Sequence, residues 1–397
     1  DKSIAVLPFI NDSPDQEGMY FINGTMEAIL NKLSKIEDLR VVSRTSVEQY
    51  RENPRPVSVI SEEMNVSYIL EGSGMRHEDE LFLSIQLIDA INDKHVWSES
   101  YQKEIGEFTE LFSQVALSVA AEINVHISPE EKSLIEKIPT TNREAYELYL
   151  RAMDGLYYFA GRNQLDRSMD LLRHAIDVDP GFADAYAELG WIFDVLQDRN
   201  PFAYSSYLDS VLLYANNALL LDEQVELAHE IKGAYYRDMG DLNRALAHFS
   251  DALRINPNSH QAYWGMGWAY FTKHDFVPSI ESFHKTTLLN RGEILPWALR
   301  HLGRAYSAAG FSDKSKEILG EVLTLDGDSV SFYNDYSLAE RTAGNLTEAL
   351  EAAQKAYEFK QGSYSSTLEH VAMCHYELGD YDIALEVSFL LLAGVEG

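Results

Sequence analysis

The apolar positions of the first 128 residues switch between two periods. Ile4-Ala5-Val6-Leu7-Pro8-Phe9 is a nearly continuous apolar run of strand length, the pattern of a strand covered on both faces. Residues 16–36 then place Met19, Ile22, Met26, Ile29, Leu30 and Leu33 three or four apart, which predicts an amphipathic helix. Leu39–Val42 reads as a second strand, and 46–50 and 57–64 as short helices. Residues 68–74, 81–90 and 96–104 read as three successive strands bounded by turn residues, and 108–127 as a closing helix. The order β-α-β-α-β-β-β-α predicts a compact mixed α/β domain over 1–128.

From residue 143 the pattern is helical, and it repeats. Tyr235-Tyr236-Arg237-Asp238-Met239-Gly240-Asp241-Leu242-Asn243-Arg244-Ala245-Leu246-Ala247-His248-Phe249, running on to Asn256-Pro257, is one unit of a phrase that returns about every 34 residues. Gly233, Tyr236, Gly240, Ala245, Phe249, Ala252 and Pro257 mark that unit. Gly267, Tyr270 and Phe283 mark the next, and Leu302-Gly303, Tyr306 and Gly310 the one after. Gly344, Ala349 and Ala356 follow, then Tyr376, Gly379, Tyr381 and Ala384. Upstream, Ala175 and Asp179-Pro180 end a first unit, and Leu189-Gly190 opens a second with a longer connection over 197–204. This series resembles the tetratricopeptide repeat, with small residues where two helices of a hairpin touch and aromatic rings between hairpins. The expectation is an all-α superhelix of seven hairpins over 143–397, joined to the α/β domain by a linker over 129–142.

A second resemblance lies in the amino-terminal part. Ser3-Ile4-Ala5-Val6-Leu7-Pro8-Phe9, Leu33-Ser34, Arg44-Thr45-Ser46, Val66-Ser67-Tyr68-Ile69-Leu70-Glu71-Gly72-Ser73-Gly74, Gln86-Leu87-Ile88-Asp89-Ala90 and His95-Val96-Trp97-Ser98-Glu99 are similar to the TolB-like amino-terminal domain of bacteria. That resemblance implies a domain that precedes a tetratricopeptide array in regulators and cyclases, with the output module elsewhere in the chain and often across a membrane. A periplasmic setting, with the cytoplasm as alternative and any membrane attachment through a tether outside this segment, follows from the same likeness. Phe21-Ile22-Asn23-Gly24-Thr25 departs from the pattern, where relatives more often carry an acidic residue before the glycine.

Charge narrows the partners. The 397 residues carry a net charge of −31 with lysines and arginines scattered singly, which argues against direct binding of a polyanionic nucleic acid. No run of about 18 apolar residues suggests a membrane span. Cys374 is alone and lies in an apolar helical pattern, so it reads as a core thiol. Gly72-Ser73-Gly74 lacks the following helix and lysine of a phosphate loop. Twelve histidines are present without a His-Glu-x-x-His motif, so no zinc ligands are visible in the sequence, and no nucleophile elbow occurs. The expectation is a non-enzymatic chain without a cofactor; a carboxylate-based hydrolase is the enzyme alternative, since acids are abundant.

In a tetratricopeptide array the first helix of each hairpin lines the concave side. The repeat phase puts Trp191, Arg237, Trp264, Trp268, Trp297, Arg300, Arg304, Asn334 and Arg341 on that face. Indole faces stack on sugars, aliphatic chains or cations, and guanidinium forks grip carboxylates. The predicted function is a sensory or ligand-binding segment of a bacterial signalling protein, most plausibly a transcription regulator, with the effector in the concave groove. The effector would be a peptide or protein, or a small anionic molecule such as an acidic oligosaccharide; a homodimer fits the same picture. A pure assembly adaptor is the alternative. The opposing reading of the same residues is that the tryptophans pack between hairpins and the arginines pair with nearby acids.

Overall fold

The computed structural model describes residues 2–13, 18–78, 80–104, 108–156, 162–199, 204–292, 294–360 and 366–394. The chain falls into two compact units, Asp1–Gly265 with Leu288–Gly292, and Met266–Thr287 with Glu293–Gly397.

The first unit opens with a mixed sheet of β1 (Ser3–Val6), β2 (Ile10–Asn11), β3 (Arg40–Val41), β4 (Tyr68–His77), β5 (Glu80–Asp89) and β6 (Lys94–Glu104). Their order is β3-β1-β4-β5-β6, parallel from β3 to β4 and antiparallel from β4 to β6, with β2 beside β4. β1 is buried at every residue, as its continuous apolar run requires. The sequence suggests one strand over residues 4–9. The structure ends it at Val6 and starts β2 at Ile10, because Pro8 has no N–H to give the ladder. β5 alternates, burying Leu81, Leu83, Ile85 and Leu87. β6 is an edge strand, largely exposed and studded with Lys94, Glu99, Lys103 and Glu104. Gly72 lies within β4, where a Cβ would meet the Phe9 ring at 2.7 Å, so it serves packing.

Helices α1 (Met19–Leu33), α2 (Arg44–Val47), α3 (Val57–Met64), α4 (Phe108–Glu122) and α5 (Pro129–Glu136) accompany the sheet. α1 buries Ile22, Met26, Ile29 and Leu33 in the same core as Ile4, Val6, Phe112 and Val115. α5 occupies the stretch expected to be linker. Ser128 and Glu131 form a reciprocal capping box at its start, followed by Pro129 at the first helical position.

Fourteen helices then form seven antiparallel hairpins of tetratricopeptide type among the described residues. They are α6 (Arg143–Leu156) with α7 (Arg162–Val178), α8 (Ala183–Arg199) with α9 (Tyr204–Leu221), and α10 (Glu226–Asp238) with α11 (Leu242–Ile255). Next come α12 (His260–Thr272) with α13 (Phe276–Leu289), α14 (Leu295–Ala308) with α15 (Ser312–Asp326), α16 (Ser329–Ala343) with α17 (Leu346–Phe359), and α18 (Ser366–Leu378) with α19 (Tyr381–Gly394). The turns inside the third, fifth, sixth and seventh hairpins use Gly240, Gly310, Gly344 and Gly379 at φ of 79–88°, the left-handed closure that glycine adopts without steric cost. His274 takes that conformation in the fourth, at φ 58°. Part of the long connection expected in the second hairpin, residues 200–203, lies outside the described residues. Small residues stand where the phase put them: a Cβ on Gly233 would come within 2.5 Å of the Phe249 ring, and one on Gly267 within 2.7 Å of the Phe283 ring. Cys374 is fully buried beside Ala349, Ala353 and Val371. Among the described residues no helix is long and apolar enough to cross a membrane.

Candidate functional site

Within the first unit, α1 packs on α6, and side chains on and just beyond it share a cavity with α8 and α10. Its sheet-facing stripe is apolar, but Asn23, Glu27 and Asn31 recur every fourth residue on another face, one above the other along the helix, and Lys35 follows two residues past its end. Asn23 Nδ2 donates to Asp154 Oδ1 of α6 at 2.8 Å, and Lys35 pairs with Glu226 of α10. Gly24 permits the close approach between them: a Cβ there would sit 2.6 Å from Leu150 Cδ2 of α6, and Leu150 is itself part of the α/β core. Around this centre Arg76 reaches Glu147 at 3.4 Å, and Lys137 pairs with Asp222. Asn258, between α11 and α12, donates through Nδ2 to the carbonyls of Ser34, Ile36 and Leu39 at 2.9–3.2 Å and accepts from Val41 N at 2.9 Å. The Arg44-Thr45-Ser46 phrase meets the segment after α13: Asn290 Nδ2 donates to Thr45 Oγ1 at 3.0 Å, and Arg291 N to Ser46 Oγ at 2.8 Å.

Between α1 and the hairpins lies a cavity of about 200 Å³, lined by Asn23, Glu27, Lys32, Lys35, Tyr149 and Asp184 among others. Glu188, on the same wall, lies one turn after Asp184 on α8. Asp184 and Glu188 keep some accessible surface, and both line the cavity. Burial holds the neutral forms. The Glu188 carboxyl is pushed up to about 8, chiefly by desolvation, with Asp184 and Glu27 adding repulsion and the Tyr149 hydroxyl opposing. Desolvation raises Glu230 to about 7 against a hydrogen bond from Ser259, and raises Asp184 as well. Desolvation also pulls Lys35 down to about 7 and Lys32 to about 8, against the attraction of Asp184. Lys32 Nζ is held by the carbonyls of Ile135 and Lys137 at 2.6 and 3.0 Å, and Arg44 by Glu27 and Glu48 at 3.1 and 3.5 Å. Asn23 Oδ1 is 2 % exposed by residue and takes no hydrogen bond. The Asp184 and Glu188 carboxyls thus face the cavity while Lys32, Lys35 and Arg44 are held by protein acceptors. The chamber suits a small molecule with an amine, which can take up the proton that burial keeps on a carboxyl.

The residues expected from repeat phase are distributed over both units. In the first, Trp191 stands one turn beyond Glu188 on α8 and packs half-buried against the hairpin core. Arg237, near the end of α10, pairs with Asp238 at 2.8 Å, and Trp264 is half-buried on α12. In the second unit, Trp268 packs edge-on to Phe271 and Phe283 and, with Trp297, flanks His301 at ring separations of 4.9 Å. Trp297 is 45 % exposed. Arg300 and Arg304 converge on Asp335, which is 2 % exposed, at 3.5 and 2.7 Å, and Arg300 also meets Asp326 at 2.8 Å. Asn334 is buried, and Arg341 pairs with Glu377. The structure thus gathers Trp268, Trp297, Arg300 and Arg304, and pairs each of the four arginines with an acid. The cavity of the first unit was not expected from the sequence. Its readable traces are the polar stripe of α1 and the carboxylates four apart on two successive first helices, Asp184 with Glu188 and Glu226 with Glu230.

Comparison with known proteins fits this architecture. Residues 1–118 match the family described as HilA/YgeH-like transcriptional regulator, second domain, and residues 233–273 and 301–365 match tetratricopeptide repeat families. The chain thus carries a HilA-like regulator domain together with tetratricopeptide repeats. Over 190 residues it is 31% identical to "Putative adenylate cyclase 3" of Rhizobium meliloti (strain 1021), covering 48% of this chain and 32% of that protein. Over 181 residues it is 24% identical to Superkiller protein 3 of Schizosaccharomyces pombe (strain 972 / ATCC 24843), covering 37% and 13%. The chain therefore spans about a third or less of these relatives. Among solved structures it is similar to YrrB, described as a TPR protein with an unusual peptide-binding site (TM-score 0.39, 19% identity, 47% of this chain and 91% of that one). It is also similar to the APC/C hetero-tetramer Cut9-Hcn1 (TM-score 0.44, 15% identity, 67% and 52%).

Proposed function

We propose that this chain is the non-enzymatic, partner-binding and sensory region of a bacterial signalling protein of the transcription-regulator type. In this reading a small amine-bearing effector in the α1 cavity sets how firmly the amino-terminal domain stays docked on the first three hairpins. The observation that carries it is the packing of α1 on α6 with a polar cavity between α1 and the first helices of the first three hairpins. A hairpin face that accepts a helix of its own chain has the chemistry to accept a helix from another protein. The rings and paired arginines around Trp297 and Arg304 belong in this reading to a partner surface, since rigid aromatic and arginine side chains are the groups that anchor interfaces.

The TolB-like likeness of residues 1–128 and the match to a regulator domain support the same class. A DNA-binding or cyclase output would then lie outside the segment, and a periplasmic setting on a tether is part of the proposal. The cavity's acceptors favour an amine over the acidic sugar that the arginines alone suggest. A thermal-shift panel of amino acids, polyamines and amino sugars tests this, because a ligand bound only by the folded state raises its melting temperature. The expected result is stabilisation of the wild type by at least one of these amines, lost in an Asp184→Asn/Glu188→Gln variant. Stabilisation that survives in the variant, or none with any amine, contradicts the effector site. A stoichiometric protein partner without any amine effect would favour the assembly adaptor.

A further inference from the structure

The third hairpin carries a feature that neither the fold nor the cavity uses. His229 on α10 faces His248 and Asp251 on α11, and the three offer ligand atoms that lie within 4.8 Å of one another. His248 and Asp251 are three apart and so share one helix face. We propose that His229, His248 and Asp251 form a binding site for a divalent transition metal, Zn²⁺ being the type case, that clips α10 to α11.

The geometry of the two imidazoles carries the proposal. His229 Nε2 lies 3.1 Å from the Glu223 carbonyl oxygen. A carbonyl can only accept, so Nε2 bears the hydrogen, and in the neutral ring Nδ1 is left as a bare lone pair. This outer hydrogen bond is the device that fixes the tautomer of a metal-binding histidine. That lone pair points at His248 Nδ1, 3.3 Å away. Two facing ring nitrogens need either a hydrogen between them, donated by His248 as its own Nδ1–H, or a metal ion that both lone pairs bind. Tetrahedral zinc with Zn–N bonds of about 2.0–2.1 Å holds its ligand nitrogens roughly 3.3–3.4 Å apart, which is the spacing found. The third ligand is oriented as well. Asp251 Oδ1 faces Arg254 at 3.8 Å, and Oδ2 is turned to His229 Nδ1 at 3.9 Å, so a small side-chain rotation would bring it to bonding distance.

The His248 ring is also held. Tyr236 stacks on it at 5.5 Å with an interplanar angle of 3°, and Arg244 lies over the other side of that pair, 5.4 Å from the Tyr236 ring. Two imidazoles and one carboxylate suit zinc, nickel or copper over calcium or magnesium, which take oxygen ligands. Three protein ligands leave a fourth position for water or a partner's side chain. Lys232 acts on His248 electrostatically and Arg254 on Asp251, so the affinity is expected in the micromolar range rather than tighter.

The test uses untagged, EDTA-treated full chain and Zn²⁺ or Co²⁺ alone as probe. Calorimetry should find one Zn²⁺ per chain, Co²⁺ should give the visible absorption of a tetrahedral site, and Zn²⁺ should raise the melting temperature. His229→Gln and His248→Gln should abolish all three, and Asp251→Asn should weaken binding about tenfold or more, as loss of a supporting ligand does. Asp251 is half-exposed, so Asp251→Asn keeps the test decisive where a histidine variant unfolds. Absence of stoichiometric binding by the wild type overturns the proposal and leaves a hydrogen bond from His248 Nδ1–H to His229 Nδ1. So does binding that Asp251→Asn and His248→Gln leave unchanged.

Discussion

A carboxyl group stripped of much of its water keeps its proton to higher pH, and Glu188 is the clearest instance in this chain. Its value rises from an ordinary 4.5 to about 8. Between those two values the folded protein binds more protons at this position than the unfolded chain does. The associated stability is therefore present below about 4.5 and lost as pH rises through about 8. Glu188→Gln keeps the neutral side chain facing Tyr149 and removes the titration. Thermal melts of both proteins from pH 4 to 9 should coincide at the acidic end. The variant should then become progressively the more stable as pH rises, with most of the change between about 4.5 and 8 and a plateau above. A pH-independent difference would mean that Glu188 does not sit in a desolvated wall.

Helix α1 shows why part of the site was legible in the sequence and part was not. Its apolar stripe, Ile22, Met26, Ile29 and Leu33, announced both the helix and its buried face, because periodicity reports which side chains avoid water. The second stripe, Asn23, Glu27 and Asn31 with Lys35 just beyond the helix, reads as a solvated face by that measure. Its partners stand more than a hundred residues away on α6 and α10, and no local pattern encodes them. The departure at Asn23-Gly24 marked the contact, but only the coordinates connect the missing Cβ with Leu150. Hairpin number and turn positions were legible because each unit repeats the same small and aromatic residues. β2 was not, being two residues long. At the same scale Arg300 and Arg304 act first as counter-ions for buried Asp335, whose carboxyl burial pushes up while both arginines pull down. Arg304→Ala leaves that acid short of its closest donor. Chemical denaturation should report a loss of about 1–3 kcal/mol, the usual cost of orphaning a buried polar group. Unchanged stability would return Arg304 to the role of a free ligand grip.

At the scale of the whole chain, one arrangement within the first unit matters most: an α/β domain whose first helix packs on the first helix of its own tetratricopeptide hairpins. Apolar contact through Leu150, ion pairs at Lys35 and Lys137, and the Asn258 amide hold it there. Partly buried ion pairs return little beyond the cost of desolvating them, so docking of this kind is open to adjustment by a molecule in the cavity or a competing helix. Hydrogen exchange measured by mass spectrometry, comparing wild type with Gly24→Leu, tests this most directly. Leucine at 24 must displace Leu150 and part α1 from α6. The account expects slow exchange across 19–33 and 143–156 in the wild type and faster exchange of both segments in the variant, with β4 and β5 unaffected. Fast exchange of both segments already in the wild type, or identical profiles in the two proteins, would contradict it.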